Sequence, residues 1–137
     1  MTDRQSFGIL SISVAAAAVL LFSHLGTIPG LHGDEAWVGL RAHAILQGAR
    51  PLIGMNTNTG PIHQYFVALL LALLGYKIAV LRYVTAVACL VTIVLYYRIV
   101  QRLFDRTRAA VATMLLVTMP FFTLFGRLAG ENFALNP

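Results

Sequence analysis

An uncharged apolar segment near the start of the chain limits what the chain can fold into. Residues 7–25 contain no Asp, Glu, Lys or Arg, and at about 1.5 Å of helical rise per residue they match the roughly 30 Å hydrocarbon thickness of a bilayer. Only 11% of the 137 residues are charged and 58% are hydrophobic, whereas soluble domains carry about 25% charged residues. This composition excludes a soluble globular domain, and the single cysteine excludes a disulfide-stapled module. The sequence predicts an all-α integral membrane protein.

Three segments predict membrane-spanning helices, and two shorter segments predict helices that lie on the membrane surface. The predicted single membrane module consists of a first span at 7–25, an outer loop at 26–78 with interfacial helices at 34–48 and 62–75, a second span at 79–100, a cytoplasmic turn at 101–108, a third span at 109–126, and the start of a second outer loop at 127–137. Pro120 predicts a kink in the third span, because proline removes a helical hydrogen bond.

The apolar run after Pro61 decides the number of crossings. Pro61 and Gly75 bound a run of about ten apolar residues, about half of what a transmembrane helix needs. We therefore expect about three crossings, with four as the alternative. Three crossings place the arginine-rich turn at 98–108 in the cytoplasm, as the positive-inside rule for short loops requires. The N-terminus is then cytoplasmic, and the first loop lies on the outer face of the plasma (inner) membrane.

Acidic residues at the predicted outer face are the first candidates for chemistry. Asp34 and Glu35 fall in the first turn of a predicted helix, where carboxylates also serve as simple helix caps worth about 0.3–1 kcal/mol. Ionisable groups at membrane depth are rare without a function, which favours a catalytic role. Glu131 follows the third span, and with three crossings it emerges on the same face as the acidic pair.

Two arginines are candidates for binding phosphate. Arg82 begins the second span, where an anionic partner must compensate its charge. A lipid headgroup is one possible partner, and the phosphate of a polyprenyl-phosphate substrate is the other, because guanidinium binds phosphate oxygens in two-pronged fashion. Arg127 lies at the same predicted depth.

The remaining polar residues give weaker indications. His63 could hydrogen-bond a substrate, although ordinary interfacial polar contact is the more common role for such a residue. Asn58 lies in the turn-forming stretch 56–60 and could equally bind sugar hydroxyls. The four histidines lack metal-ligand spacing, so no metal site and no cofactor are predicted, and a divalent metal is left open. No basic stripe interleaved with aromatic residues indicates nucleic acid.

The order of these motifs resembles the N-terminal part of the C-type (GT-C) glycosyltransferases. The resemblance runs from about residue 8 to 135 and rests on a span followed by GLHGDEAW, LRAHAILQGARPL, NTNTGPIHQYF, LRYVTAVACLV, an arginine-rich turn, a kinked span and GRLAGENF. The group includes the dolichyl-phosphate-mannose protein mannosyltransferases and the bacterial aminoarabinose transferases.

The resemblance implies an enzyme that transfers a sugar, hexosyl or pentosyl, from a polyprenyl-phosphate carrier to a hydroxyl acceptor, with inversion. It implies that Asp34 and Glu35 form the catalytic motif, with Asp34 as general base and Glu35 or Glu131 orienting the acceptor. It also matches Arg82 to an arginine near the start of the second span, and Arg82 with Arg127 would stabilise the leaving phosphate. Neither the sugar nor the acceptor is identified.

The length of the chain leaves a second interpretation open. Members of the resembled family have many more spans than three, so we expect a fragment that is inactive alone. The alternative is a small non-catalytic membrane subunit, in which Asp34, Arg41 and Arg82 form structural ion pairs.

Overall fold

The computed structural model describes residues 3–52 and 60–130, and in these ranges the chain forms six helices and no strand. The helices are α1 (Asp3–Phe22), α2 (Gly33–Leu46), α3 (Ile62–Leu74), α4 (Ile78–Leu103), α5 (Arg106–Thr118) and α6 (Pro120–Phe125). The predicted all-α fold is confirmed, and both short helices of the first loop form within a few residues of the predicted positions.

Helices α1, α4 and α5 form a bundle in which α4 runs antiparallel to the other two. At one end of the bundle, Leu21 of α1 packs in one buried cluster with Cys89 of α4 and Val117 of α5. At the other end, Tyr97 of α4 clusters with Ala109 near the start of α5. The first of these ends carries the loop residues that form the site described below.

Two of the helices are long and apolar enough to cross a membrane. The candidate spans are Gln5–Phe22 and Ile78–Leu103. Large apolar side chains such as Val19, Leu95 and Ile99 remain exposed on these helices, as a surface that faces lipid requires. These features confirm a helical membrane protein.

The third predicted span is divided at Pro120. Helix α5 ends at Thr118, and α6 begins at Pro120 after Met119, whose backbone is extended (φ −69°, ψ 116°). Proline disfavours helical geometry in the residue before it and supplies no N–H to the preceding turn. The predicted kink is therefore present as a complete break. That α5 and α6 together form a third crossing remains a prediction.

Helices α2 and α3 pack on each other and on the first turns of α4. Their shared core contains Val38 and Ala42 of α2, Val67 and Leu71 of α3, and Val80 of α4. Helix α3 is apolar but shorter than a span. Its placement along the membrane surface remains a prediction, and so does the division of the chain into loops and spans.

Candidate functional site

Glu35 and Arg82 form a buried ion pair that joins α2 to α4. The Arg82 Nε lies 2.8 Å from Glu35 Oε1, and Nη2 lies 2.7 Å from Oε2. The Arg82 side chain is fully buried and that of Glu35 is 2% exposed. This two-pronged geometry is the strongest form of the carboxylate–guanidinium contact. The anionic partner that the sequence requires for Arg82 is therefore a residue of this chain.

The rest of the Arg82 guanidinium holds the loop between α1 and α2. Its Nη1 donates to the carbonyl oxygens of Leu25 and Pro29, both at 2.8 Å, and Nη2 donates to that of Gly30 at 3.2 Å. A guanidinium has five N–H groups, and these three bonds with the two to Glu35 use all five. No N–H of Arg82 is left for a donor phosphate, so the predicted phosphate contact has no support in this arrangement.

Two backbone N–H groups complete the environment of Glu35. Ala129 donates to Oε1 at 2.8 Å, and His32 donates to Oε2 at 3.1 Å in a capping box at the start of α2. Burial alone raises the pKa of Glu35, but the hydrogen bonds from Arg82, Ala129 and His32 and the positive charge of Arg82 outweigh it, so the pKa lies below its usual value. Glu35 is an ionised carboxylate that holds three chain segments together, and its oxygens are occupied.

Asp34 has the opposite environment to its neighbour Glu35. Its side chain is 66% exposed, in the first turn of α2. The Nδ1 atom of His32 lies 3.6 Å from Asp34 Oδ2 and also accepts the Asp34 backbone N–H at 3.4 Å. The Asp34 carboxylate is largely open to solvent.

Arg41 does not neutralise Asp34, although the two share a side of α2. Its guanidinium lies 4.6 Å from the centre of the Trp37 ring, in a cation–π contact. The structural ion pair expected between Asp34 and Arg41 is not observed among the described contacts, whereas Arg82 does form one, with Glu35.

Arg127 binds the same loop as Arg82, from the end of α6. It donates to the carbonyl oxygens of Leu20, Ser23 and Ile28, and its side chain is partly buried. Burial, and then the positive charge of Arg82, lower the pKa of Arg127. Two arginines from distant parts of the chain therefore fix the path of residues 20–30.

Of the remaining predicted site residues, the structure describes His63 alone. His63 is buried in α3, with its Nε2 atom 3.4 Å from the Thr85 hydroxyl of α4. Asn58 and Glu131 lie outside the described residues, although Glu131 follows Ala129 by only two positions. In the described part of the chain no group of three metal-ligating side chains occurs.

An apolar groove begins next to the acidic pair. It lies between α2 and the turn that joins α3 to α4, and has a volume of about 580 Å³. The lining residues are Ala36, Gly39, Leu40, His43, Leu71, Tyr76, Lys77, Ile78 and Leu81. Lys77 and a hydrogen bond of 2.8 Å between His43 and Tyr76 supply its polar groups. Neither this groove nor the backbone donor at Ala129 is predictable from sequence patterns, because both arise from contacts between distant segments.

The fold and the site define a helical membrane protein whose first loop and last described segment meet at one end of a bundle. The family model described as dolichyl-phosphate-mannose-protein mannosyltransferase matches residues 58–136, which is more than half of the chain. The chain therefore belongs to this family, as the sequence resemblance indicates, and is a glycosyltransferase-type membrane module. The match includes Arg82, Arg127 and Glu131 and begins after Asp34 and Glu35. No curated protein and no solved structure matches the chain.

Proposed function

We propose that this chain is the catalytic-loop module of an enzyme that transfers a sugar from a polyprenyl-phosphate donor to a hydroxyl acceptor, with Asp34 as the general base. The observation that carries the proposal is the contrast between two adjacent carboxylates. Glu35 is buried with its oxygens occupied, while Asp34 is exposed at a position that the Glu35–Arg82 pair fixes. A base needs an accessible oxygen on a rigid support, and Asp34 has both.

The chemistry requires one proton acceptor and one place for negative charge. The acceptor oxygen attacks the anomeric carbon from the side opposite the phosphate, the bond between that carbon and the phosphate oxygen breaks, and the configuration inverts. Asp34 takes the hydroxyl proton, and the donor leaves as polyprenyl phosphate. The phosphate already carries charge, so it needs electrostatic stabilisation rather than a proton.

We assign different roles to the predicted site residues. Glu35 and Arg82 position Asp34 and the loop, without contacting substrate. Arg127 is only partly buried and remains our candidate for the leaving phosphate. Glu131, two residues beyond the Ala129 bond to Glu35, is our candidate for orienting the acceptor. Asn58 and His63 are weaker candidates for sugar contacts.

The apolar groove beside α2 suits the isoprenoid chain of the donor. Its walls are aliphatic at Leu40, Leu71 and Leu81, and Lys77 offers a positive charge at its edge. An isoprenoid tail is apolar, and its phosphate is anionic, so the two parts match the two kinds of lining. With the three predicted crossings, the site lies on the outer face of the plasma membrane and the N-terminus is cytoplasmic.

Because we expect these residues alone to be inactive, the test is sugar transfer in membranes that contain them within a full-length family protein, with a polyprenyl-phosphate sugar as donor. Loss of a general base lowers such a rate by about 10²–10⁴-fold, and we expect that loss for Asp34→Asn. Asp105→Asn is the matched control, because Asp105 caps α5 at the far end of the bundle and Asn caps a helix equally well. Near-normal transfer by Asp34→Asn would remove Asp34 from this role. Absence of both transfer and donor binding in the unmodified protein would favour the non-catalytic subunit.

A further inference from the structure

Arg41 is a cation that lies on the same side of α2 as Asp34. It follows Asp34 by seven residues, which is about 20° short of two full helical turns. Its guanidinium lies 4.6 Å from the centre of the Trp37 ring. In the part of the chain that the structure describes, no oxygen atom accepts a hydrogen bond from this guanidinium. All five of its N–H groups are therefore available to a ligand.

The contact with Trp37 holds the guanidinium of Arg41 in place. Trp37 is half-buried and packs against the core that α2 shares with α3 and α4. An arginine over the face of a tryptophan ring is stabilised by a cation–π interaction, and long side chains on a helix lean towards its N-terminus. Because Trp37 lies between Asp34 and Arg41 on α2, the guanidinium is turned towards Asp34 and is held there without a ligand.

The other arginines at this end of the bundle are already occupied. Arg82 uses all five of its N–H groups on Glu35 and on three carbonyl oxygens. Arg127 uses four of its five on backbone carbonyl oxygens. Two-pronged binding of a phosphate needs two free N–H groups on one guanidinium, and Lys77 at the edge of the groove lacks this planar fork. Arg41 has these groups free.

The spacing of Asp34 and Arg41 suits an in-line displacement. The base and the cation that binds the leaving phosphate must lie on opposite sides of the anomeric carbon. A hydrogen bond of about 2.8 Å and an attack distance of about 3.2 Å place the base about 6 Å from that carbon, and the phosphate lies beyond it. Seven residues of helix span about 10.5 Å, which leaves room for both.

The apolar groove beside α2 is continuous with this position. Leu40 lines the groove and lies three residues after Trp37, so the two side chains are neighbours on the helix surface. A phosphate bound at Arg41 and an isoprenoid chain that crosses Leu40 into the groove can therefore belong to one donor molecule.

We propose that Arg41, held on Trp37, binds the phosphate of the polyprenyl-phosphate donor and keeps this contact with the polyprenyl phosphate that leaves. A phosphate monoester carries close to two negative charges, so Arg41 can act together with Arg127. This inference rests on the proposed function for the identity of the ligand. It does not depend on whether Asp34 is the base.

The test measures binding of polyprenyl phosphate by the full chain in detergent, from the rise in unfolding temperature as the lipid is added. Three comparison ligands are polyprenol, which lacks the phosphate, phosphatidylglycerol, an ordinary anionic headgroup, and inorganic phosphate, a free anion. Salt of about 0.5 M shortens the Debye length to roughly 4 Å, so diffuse attraction is suppressed and direct contact remains. We expect polyprenyl phosphate to raise the unfolding temperature more than any of the three at equal concentration.

Two single variants with equal charge loss locate the effect. We expect Arg41→Gln to weaken the binding of polyprenyl phosphate at least about tenfold, as for the loss of charge-assisted hydrogen bonds, and to leave the binding of polyprenol unchanged. Arg50→Gln is the matched control, because Arg50 is an exposed arginine beyond the end of α2. We expect it to weaken binding less than about threefold, because diffuse attraction is screened.

Equal weakening by the two variants would overturn the proposal. So would a loss for phosphatidylglycerol or inorganic phosphate as large as that for polyprenyl phosphate, or no binding of polyprenyl phosphate by the unmodified chain. If Arg41→Gln does not fold, Arg41→Lys against Arg50→Lys makes the same comparison, with the larger loss expected at Arg41.

Asp34→Asn separates this inference from the proposed function. We expect it to retain binding of polyprenyl phosphate, while it abolishes transfer within a full-length family protein. Normal transfer by Asp34→Asn would therefore count against the proposed base and leave Arg41 in place. Unweakened binding of polyprenyl phosphate by Arg41→Gln would count against Arg41 and leave the proposed base in place.

Discussion

Glu35 accepts two hydrogen bonds from Arg82, a residue 47 positions later in the chain, and water reaches almost none of either side chain. The same carboxylate accepts the backbone N–H of Ala129. One buried group therefore joins the start of α2, the first turns of α4 and the segment after α6. This connection places the acidic pair and the chain that leads into Glu131 at the same end of the bundle.

Removing either partner of the pair should destabilise the protein strongly. Glu35→Ala or Arg82→Ala leaves an uncompensated buried charge, which costs about 3–5 kcal/mol. The double variant Glu35→Leu with Arg82→Met should lose much less than the sum of the single changes, because no charge is then left behind. Thermal unfolding in detergent, followed by circular dichroism, measures these differences. Strictly additive losses would show that the two residues do not interact.

The pair should also make stability depend on pH at the acidic end. The pKa of Glu35 is lowered from 4.5 in the folded chain, so its contribution to stability is complete above about pH 4.5 and is lost as the pH falls through the folded pKa. We expect the stability difference between the unmodified protein and Glu35→Gln to be constant from pH 7 to 5 and to shrink below that. Unfolding at a series of pH values measures it. A difference that persists unchanged at pH 3 contradicts the lowered pKa.

The secondary structure was largely predictable because it depends on local patterns. Apolar length and flanking charge located α1 and α4, and Pro120 located the break between α5 and α6. The carboxylates of residues 34 and 35, which are favoured in the first turn of a helix, indicated the start of α2 in the same way. None of these inferences requires knowledge of which distant segments meet.

The partners within the site were less predictable, for the same reason. The sequence required an anion for Arg82 and offered a lipid headgroup or a substrate phosphate, whereas the structure supplies Glu35. The two members of the acidic pair have different environments because successive residues on a helix face different directions. Only the fold decides which of the two turns inward.

Close packing at Gly126 predicts a second local effect on stability. A Cβ atom there would lie 2.8 Å from both Cys89 Sγ and Leu21 Cδ2. We expect Gly126→Ala to destabilise by about 1–3 kcal/mol, as overpacked sites do. Gly8→Ala is the control, because nothing lies within 4 Å of its added Cβ. In a Cys89→Ala background the cost of Gly126→Ala should fall, and an unchanged cost would assign it to another contact.

The membrane layout predicts which positions a water-soluble thiol reagent can reach from outside. Replacing Cys89 by Ser removes the only native cysteine, and single cysteines then report positions 34, 104 and 131. Phe104 is exposed at the far end of α4 from Arg82, so a cysteine there should react only after the membrane is permeabilised.

The most direct test of the account is this labelling experiment on intact cells. Asp34 and Glu131 are predicted to share one water–lipid boundary, because Ala129 is bonded to Glu35. We expect labelling from outside at positions 34 and 131 and none at 104. Labelling at 34 and 104 without 131, or at 131 without 34, would contradict it.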